Sequence, residues 1–259
     1  MDKSTEFQQQ VAQNIRDLGA DGDLAATTWK WVLDATAHNY SYNFAWMDRP
    51  IIQFPQDMVA MQEIIWKTKP DLIIETGIAH GGSLVMSASM LTLIEYCDAV
   101  QSGQVLDPSK PKRKVLGIDI DIREHNRKAI EAHPMAHRID MIEGSSVSAE
   151  TIASVHAHAS GYKNILVCLD SNHTHEHVLA ELEAYAPLTA VGNYCVVFDT
   201  GIEDAPSTMF TDRPWGKGNN PKTAVRDYVK RHPEFEIDKS VEHKILITVA
   251  ADGDLKRVR

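Results

Sequence analysis

The stretch "DLIIETGIAHGGSLVMSASML", residues 71–91, decides the fold. A continuous apolar run ends in an acid, Glu75. A turn carrying Gly77, Gly81 and Gly82 follows, and an apolar segment of small residues begins at Ser83. The first part reads as a strand buried on both faces and the last part as the helix packed against it. Glycines at such a turn let the backbone approach a ligand and leave free amides at the helix start.

Working outward, similar apolar runs recur at 114–121, 139–144, 164–170 and 193–200. Helix-length segments at 82–97, 122–132, 147–159 and 175–187 lie between them. This alternation predicts a parallel sheet covered on both faces. The tail differs: "FEIDKSV" and "KILITVA" are separated only by "EH", too little chain for a parallel crossover, so they predict a hairpin. The expected fold class is α/β, a Rossmann-like seven-stranded, mostly parallel sheet with a C-terminal antiparallel hairpin and helices on both faces. A sheet closed in this way is the usual architecture of S-adenosylmethionine (SAM) methyltransferases. Residues 1–70 predict an N-terminal helical extension packing on the main domain, 71–259. Its helices are "TEFQQQVAQNIRDLG", stopped at Gly19, then "ATTWKWVLDATAHNY", then the segment from Pro55 to Pro70. Segment 98–113 reads as a surface loop, and 201–222 is long and irregular enough to be a lid.

Composition narrows the function classes. The 259 residues, 43% of them hydrophobic, suffice for one sizeable α/β domain. With a net charge of −10 and one dense basic cluster, "PSKPKRK" at 108–114, the chain lacks the basic face that a nucleic-acid partner needs. Cys97, Cys168 and Cys195 fit no disulfide framework and no zinc spacing, and the last two read as buried small hydrophobes. The polar start lacks the apolar core of a signal peptide, and no apolar run approaches the ~18 residues of a membrane span. A cytoplasmic location without a membrane partner is the expectation, and a homo-oligomer is compatible with it.

The glycine spacing discriminates among ligands. A dinucleotide site shows Gly-x-Gly-x-x-Gly with an acid about 20 residues later. Here the order is Glu75-x-Gly77-x-x-x-Gly81-Gly82, which ranks a nicotinamide oxidoreductase low. It suits a ligand with a free ammonium and no pyrophosphate. Glu75 could pair with a methionine amino group, directly or through water, and Ser83 could bond its carboxylate. The alternative is a turn that merely packs helix on strand. Asp119 ends the second strand, where it can accept two hydrogen bonds from a ribose diol; Asp121 is the fallback, with helix capping as its own alternative. Gly144, Ser145 and Ser146 end the third strand, near where an adenine edge would lie, although either serine could cap the next helix. Three consecutive strand ends of this kind favour a ligand, because open α/β sheets bind at the carboxyl ends of their strands.

Asp170 and Asp199 end the fourth and fifth strands. Paired carboxylates there can hold a hard divalent cation such as Mg²⁺, which could lower the pKa of a substrate hydroxyl. Each acid alone reads equally as a helix cap or turn residue. His173, three residues past Asp170, is the expected general base, the usual role of a histidine in such a position. His175 and His177 read as helix surface or packing residues, and His80 as a contact to the methionine end or an exposed side chain. No element starts the two-histidine, one-carboxylate set of an iron oxygenase.

The segments "IIETGIAHGGSL", "GIDID", "LDSNHTHEHVLAELEAYAPL", "YCVVFDT" and "WGKGNNPKTAVRDYV" resemble the cephalosporin hydroxylase / rhamnosyl O-methyltransferase family over roughly 45–250. More distantly they are similar to catechol O-methyltransferases. The resemblance implies a SAM-dependent methyltransferase fold with Glu75, Gly77, Gly81, Ser83, Asp119 and Ser145 in the cofactor site. It also implies Mg²⁺ or another divalent cation on Asp170 and Asp199. His173 falls where the catechol enzymes carry a catalytic lysine. The family often has an acid before the equivalent of Asp199, where this chain has Phe198; Thr200, Glu203 and His173 are then the candidates for a third ligand. The expected function is a metal-assisted SAM-dependent O-methyltransferase acting on a sugar or another small hydroxylated molecule. An iron-dependent hydroxylase and a non-catalytic SAM-binding partner protein are the alternatives.

Overall fold

The computed structural model describes residues 2–259. Seven strands form the central sheet: β3 (Leu72–Thr76), β4 (Lys114–Asp119), β5 (Ile139–Glu143), β6 (Ile165–Leu169), β7 (Tyr194–Val197), β8 (Phe235–Ile237) and β9 (Asp254–Arg257). Their order is β5-β4-β3-β6-β7-β9-β8. The first five pair parallel, and β9 runs antiparallel to both β7 and β8. The helices are α4 (Gly82–Ser102), α5 (Glu124–Glu131), α6 (Ala149–Ala159), α7 (His175–Tyr185), α8 (Pro221–Arg231) and α9 (Lys239–Ile245). Before the sheet come α1 (Lys3–Ala20), α2 (Gly22–Thr36), a short hairpin of β1 (Phe44–Trp46) and β2 (Arg49–Ile51), and α3 (Pro55–Thr68).

Alternation along each strand sends successive side chains into different layers. Ile73, Val115, Leu166 and Val196 pack with residues of α3 and α4, whereas Ile74, Leu116, Val167 and Val197 pack with residues of α6, α7 and α8. All eight are essentially inaccessible to solvent. Burying one such side chain stabilises the fold by roughly 1.5–3 kcal/mol. Cys168 and Cys195 lie in these layers, and burial pushes both thiols far above their ordinary value.

Three features depart from the sequence expectation. The C-terminal antiparallel pair is present, but "EH" does not join it: "KSVEHKI" forms α9, capped by the Asp238 carboxylate accepting from the Ser240 amide at 3.1 Å. The second strand of the pair is Asp254–Arg257, not the apolar "KILITVA". α4 continues to Ser102 and is, by length and composition alone, apolar enough to cross a membrane. It is the core helix of the sheet layer, with Leu84, Val85, Ala88, Leu91 and Ile94 fully buried. The hairpin β1–β2 interrupts the helical start; strands this short leave no periodic signal.

β3 feeds its neighbours on opposite sides, with Thr76 in register with Ile118 of β4 and Leu169 of β6. That divergence opens a crevice beyond its carboxyl end, where ligands of open α/β sheets bind.

Candidate active site

Gly77 follows β3 with φ +89°. A Cβ there would lie 2.1 Å from the Asp170 carbonyl oxygen, so only glycine lets β3 and β6 close up at this point. The turn then runs beneath Asp119. The amides of Ile78 and Ala79 donate to Asp119 Oδ2 at 2.7 and 3.4 Å, and the Asp121 amide donates to Oδ1 at 3.2 Å. Asp119 is therefore held rigid at the end of β4. Asp121 caps no helix, since α5 begins only at Glu124.

A cavity of about 500 Å³ lies over this edge, within the usual range for small-molecule sites. Gly77, Ser83, Asp119, Asp170, His173 and Asp199 line it, as does His80. Glu75 lies one step lower, in a chamber of about 20 Å³ that shares Gln53, Ser83 and Asp170 with the cavity. Ser83 donates to Glu75 Oε1. Burial pushes the Glu75 carboxyl up to about 7, with the Ser83 hydrogen bond working against the shift. Gly81 caps α4 in the left-handed region at φ +81°, its α-carbon facing Ile130. Gly144 and Ser145 are outside the cavity lining: the Gly144 amide donates to the Asp119 carbonyl at 2.8 Å, and Ser145 closes a turn onto the Ser148 amide at 3.0 Å. The serine that caps α6 is Ser148.

Asp170, His173 and Asp199 each offer one ligand atom, all within 4.8 Å of one another. His173 Nε2 lies 3.2 Å from Asp199 Oδ2, and the His173 and Trp215 rings meet in a T-shaped pair at a centroid distance of 4.8 Å. Asp199 adopts φ +55°, an uncommon left-handed conformation for a non-glycine residue and one that concentrates at functional sites. Burial, then the charge of Asp199, push the Asp170 carboxyl well above the ordinary carboxylate range. Among the described residues no side-chain or backbone donor bonds the Asp170 carboxylate. Two acids close to each other, with no lysine or arginine paired to either among the described residues, suit a divalent cation, and their oxygens suit a hard one. One imidazole and two carboxylates do not make the two-histidine set of an iron oxygenase.

The other candidates for a third ligand are engaged elsewhere. Thr200 donates to the Val249 carbonyl at 3.2 Å. Glu203 accepts from the Gly218 amide at 2.7 Å and from the Asn220 side chain. Phe198 faces the small chamber. His175 bridges α7 to α8, 2.8 Å from Thr223 Oγ1, as a packing residue. His177 sits among Ser146, Ser171 and Glu181 in a polar cluster outside the cavity lining.

Several lining residues had no signal in the sequence. Trp29, Val32 and Leu33 of α2 line the cavity, as do Met209, Phe210 and Trp215. Trp29 donates through Nε1 to the Asp204 carbonyl at 3.2 Å and covers Gly201, so α2 fastens the start of the 201–222 segment. Arg49 donates to the His80 carbonyl at 3.0 Å and steadies the glycine turn from β2. Asp57, in the first turn of α3, accepts from the Val249 amide at 3.1 Å and lines the small chamber. Burial pushes its carboxyl up to about 7 against hydrogen bonds from Thr248 and Val249.

The fold is a Rossmann-like sheet with a cavity over the carboxyl ends of its strands. In solved structures, one described as CmcI with Mg and SAM superposes with a TM-score of 0.55 at 16% identity, over 84% of this chain and 78% of that one. The apo structure of a TDP-rhamnose 3'-O-methyltransferase of calicheamicin biosynthesis gives a TM-score of 0.50 at 16% identity, over 83% and 88%. These are likenesses of fold. At the sequence level, a rhamnosyl O-methyltransferase of Mycobacterium bovis is 31% identical over 206 residues, 78% of this chain and 73% of the relative. One from Mycobacterium leprae is 29% identical over 224 residues, 85% and 86% of the two chains. The model of the family described as rhamnosyl O-methyltransferase/CmcI matches residues 38–258. The chain belongs to that family, and its class is that of the SAM-dependent O-methyltransferases.

Proposed function

We propose that the chain methylates a hydroxyl of a sugar, or of a small molecule bearing one, with a divalent cation such as Mg²⁺ held by Asp170 and Asp199. The observation that carries the reading is the meeting of the Asp119-braced glycine turn and the Asp170–His173–Asp199 cluster in one cavity. Its sugar preference is supported by the rhamnosyl O-methyltransferases among the relatives.

When bound, SAM supplies a sulfonium methyl group and the cation supplies Lewis acidity toward an acceptor hydroxyl. The residues divide the remaining work. Asp119 receives the ribose diol, its carboxylate already fixed by the turn amides. Ser83, which lines the cavity at the start of α4, would meet the methionine end. His173 takes the acceptor proton. Its Nε2 lies 3.2 Å from Asp199 Oδ2 and its ring meets Trp215, contacts that orient the imidazole. The apolar wall of α2 and the 201–222 segment acts as a lid that shelters the unreactive face of the acceptor and excludes water. Orientation of this kind supplies much of the rate in a transfer between two bound reactants.

The test is transfer of labelled methyl from SAM to a panel of deoxysugar and glycoside acceptors, with and without a chelator. Transfer that stops on chelation and returns with Mg²⁺ supports the reading. Tight binding of S-adenosylhomocysteine (SAH) with no transfer to any hydroxylated acceptor would favour a SAM-binding partner protein instead.

A further inference from the structure

The 201–222 segment brings a cation to the cavity. Among the described residues lining the cavity, Arg213 is the one lysine or arginine, and the acids there are Asp119, Asp170 and Asp199. The Arg213 amide donates to the Phe210 carbonyl at 3.1 Å, closing a turn that carries the side chain. Its guanidinium carbon lies 5.5 Å from the centroid of the Trp215 ring, and that ring in turn meets His173. The cation–aromatic contact gives the planar guanidinium a fixed neighbour. Lys222 and Arg226, which follow in α8, both reach Asp252. Among the described residues no carboxylate pairs with Arg213, and no protein acceptor takes a hydrogen bond from its guanidinium. Arg213 is exposed, and a solvated arginine needs no partner on its own account. Its place is what matters: it lines the cavity one aromatic ring away from the proposed base. A rigid fork of donors without an acceptor matches a carboxylate or a phosphate, two oxygens at a time.

We propose that Arg213 is a specificity-determining residue and that the acceptor is an anionic sugar, with a carboxylate on its ring or a phosphate on its anomeric oxygen. The proposal rests on the methyltransferase reading and narrows its substrate class. The geometry sets where the anion sits. Trp215 touches both His173 and Arg213, so base and guanidinium are separated by about one ring's breadth, which a single pyranose spans. An anion turned toward the strand ends would meet Asp119, Asp170 and Asp199 instead, and like charges placed together act against the wrong orientation.

The experiment measures kcat/KM for labelled methyl transfer from SAM, with Mg²⁺ present, to two matched pairs of acceptors. One pair is rhamnosyl phosphate and methyl rhamnoside; the other is methyl glucuronide and methyl glucoside. The wild type should favour the anionic member of at least one pair by about tenfold or more, the scale of hydrogen bonds to a charged group. A preference in the first pair assigns the anion as a phosphate, and one in the second as a carboxylate. Added salt should shrink the preference, because the pair is exposed. In Arg213→Met, shown to be folded by its thermal transition, the preference should fall below about threefold, and Arg213→Lys, which keeps the charge without the fork, should retain part of it. A wild type that treats the members of each pair alike, or transfers only to neutral acceptors, would overturn the assignment and leave methyl transfer standing. So would an Arg213→Met variant that keeps the wild-type preference or loses both members of a pair alike. SAH binding with no transfer to these four acceptors or to any other hydroxylated one would overturn the methyltransferase reading, and this proposal with it.

Discussion

His173 Nε2 stands 3.2 Å from Asp199 Oδ2, joining the connection after β6 to the end of β7 across the mouth of the cavity. The pair orients the imidazole and, with Asp170, gathers two acids and a titratable nitrogen at the carboxyl edge of the sheet. Most of the chemistry proposed for this chain turns on that arrangement.

If His173 is the base, His173→Ala lowers turnover by about 10²–10⁴-fold, with partial recovery at high pH as the acceptor ionises unaided. SAH affinity should stay unchanged. A loss of less than about tenfold across the pH range would make His173 a spacer for Trp215.

Asp170 and Asp199 are the proposed cation ligands. Titration with Mn²⁺, followed by its paramagnetic signal, should show one site in the wild type and weakening by at least about tenfold in Asp170→Asn, as loss of a charged ligand requires. SAH binding in that variant should persist. Wild-type Mn²⁺ affinity in Asp170→Asn would remove Asp170 from the site.

Asp57 makes stability pH-dependent. Its folded-state carboxyl is raised from 3.8 to about 7. Over that window the folded protein keeps a proton that the unfolded chain releases, so this group's contribution is fully present below pH 4 and lost as pH rises through 7. The cofactor-free wild type should therefore lose more thermal stability between pH 4 and 7 than Asp57→Asn. Parallel pH profiles for the two proteins would contradict the assignment.

In the proposed reading Trp29, which lines the cavity from α2, faces the acceptor. Trp29→Ala should raise the acceptor KM by roughly three- to tenfold, the scale of a lost aromatic contact, and leave SAH affinity unaltered. An equal loss of SAH affinity would show that α2 supports the whole cavity.

The part of this site legible in the sequence was the part carried by strand ends. "DLIIETG", "GIDID", "NILVCLD" and "YCVVFDT" each close an apolar run with an acid or glycine, and a parallel sheet must bring those closures to one edge. Gly77, Asp119, Asp170 and Asp199 follow from that rule alone, and His173 from its place three residues past Asp170. Gly144 and Ser145 obey it too but lie outside the cavity, because β5 is the outer strand on that side. Asp57, Gln53 and Trp29 were hidden for a different reason. An acid in a first helical turn and a tryptophan on an amphipathic helix have ordinary local explanations, and only long-range packing brings them to the crevice. The short strands β1, β2 and β9 carry three or four residues each, too few for a period to show.

The most direct test of the account is a calorimetric titration with SAH of the wild type and of Asp119→Ala. The account predicts micromolar binding by the wild type and a loss of about 10- to 100-fold in the variant, the scale of hydrogen bonds to a charged group. Absence of SAH binding by the wild type would contradict the central claim, and unchanged affinity in Asp119→Ala would contradict the placement of the cofactor over the glycine turn.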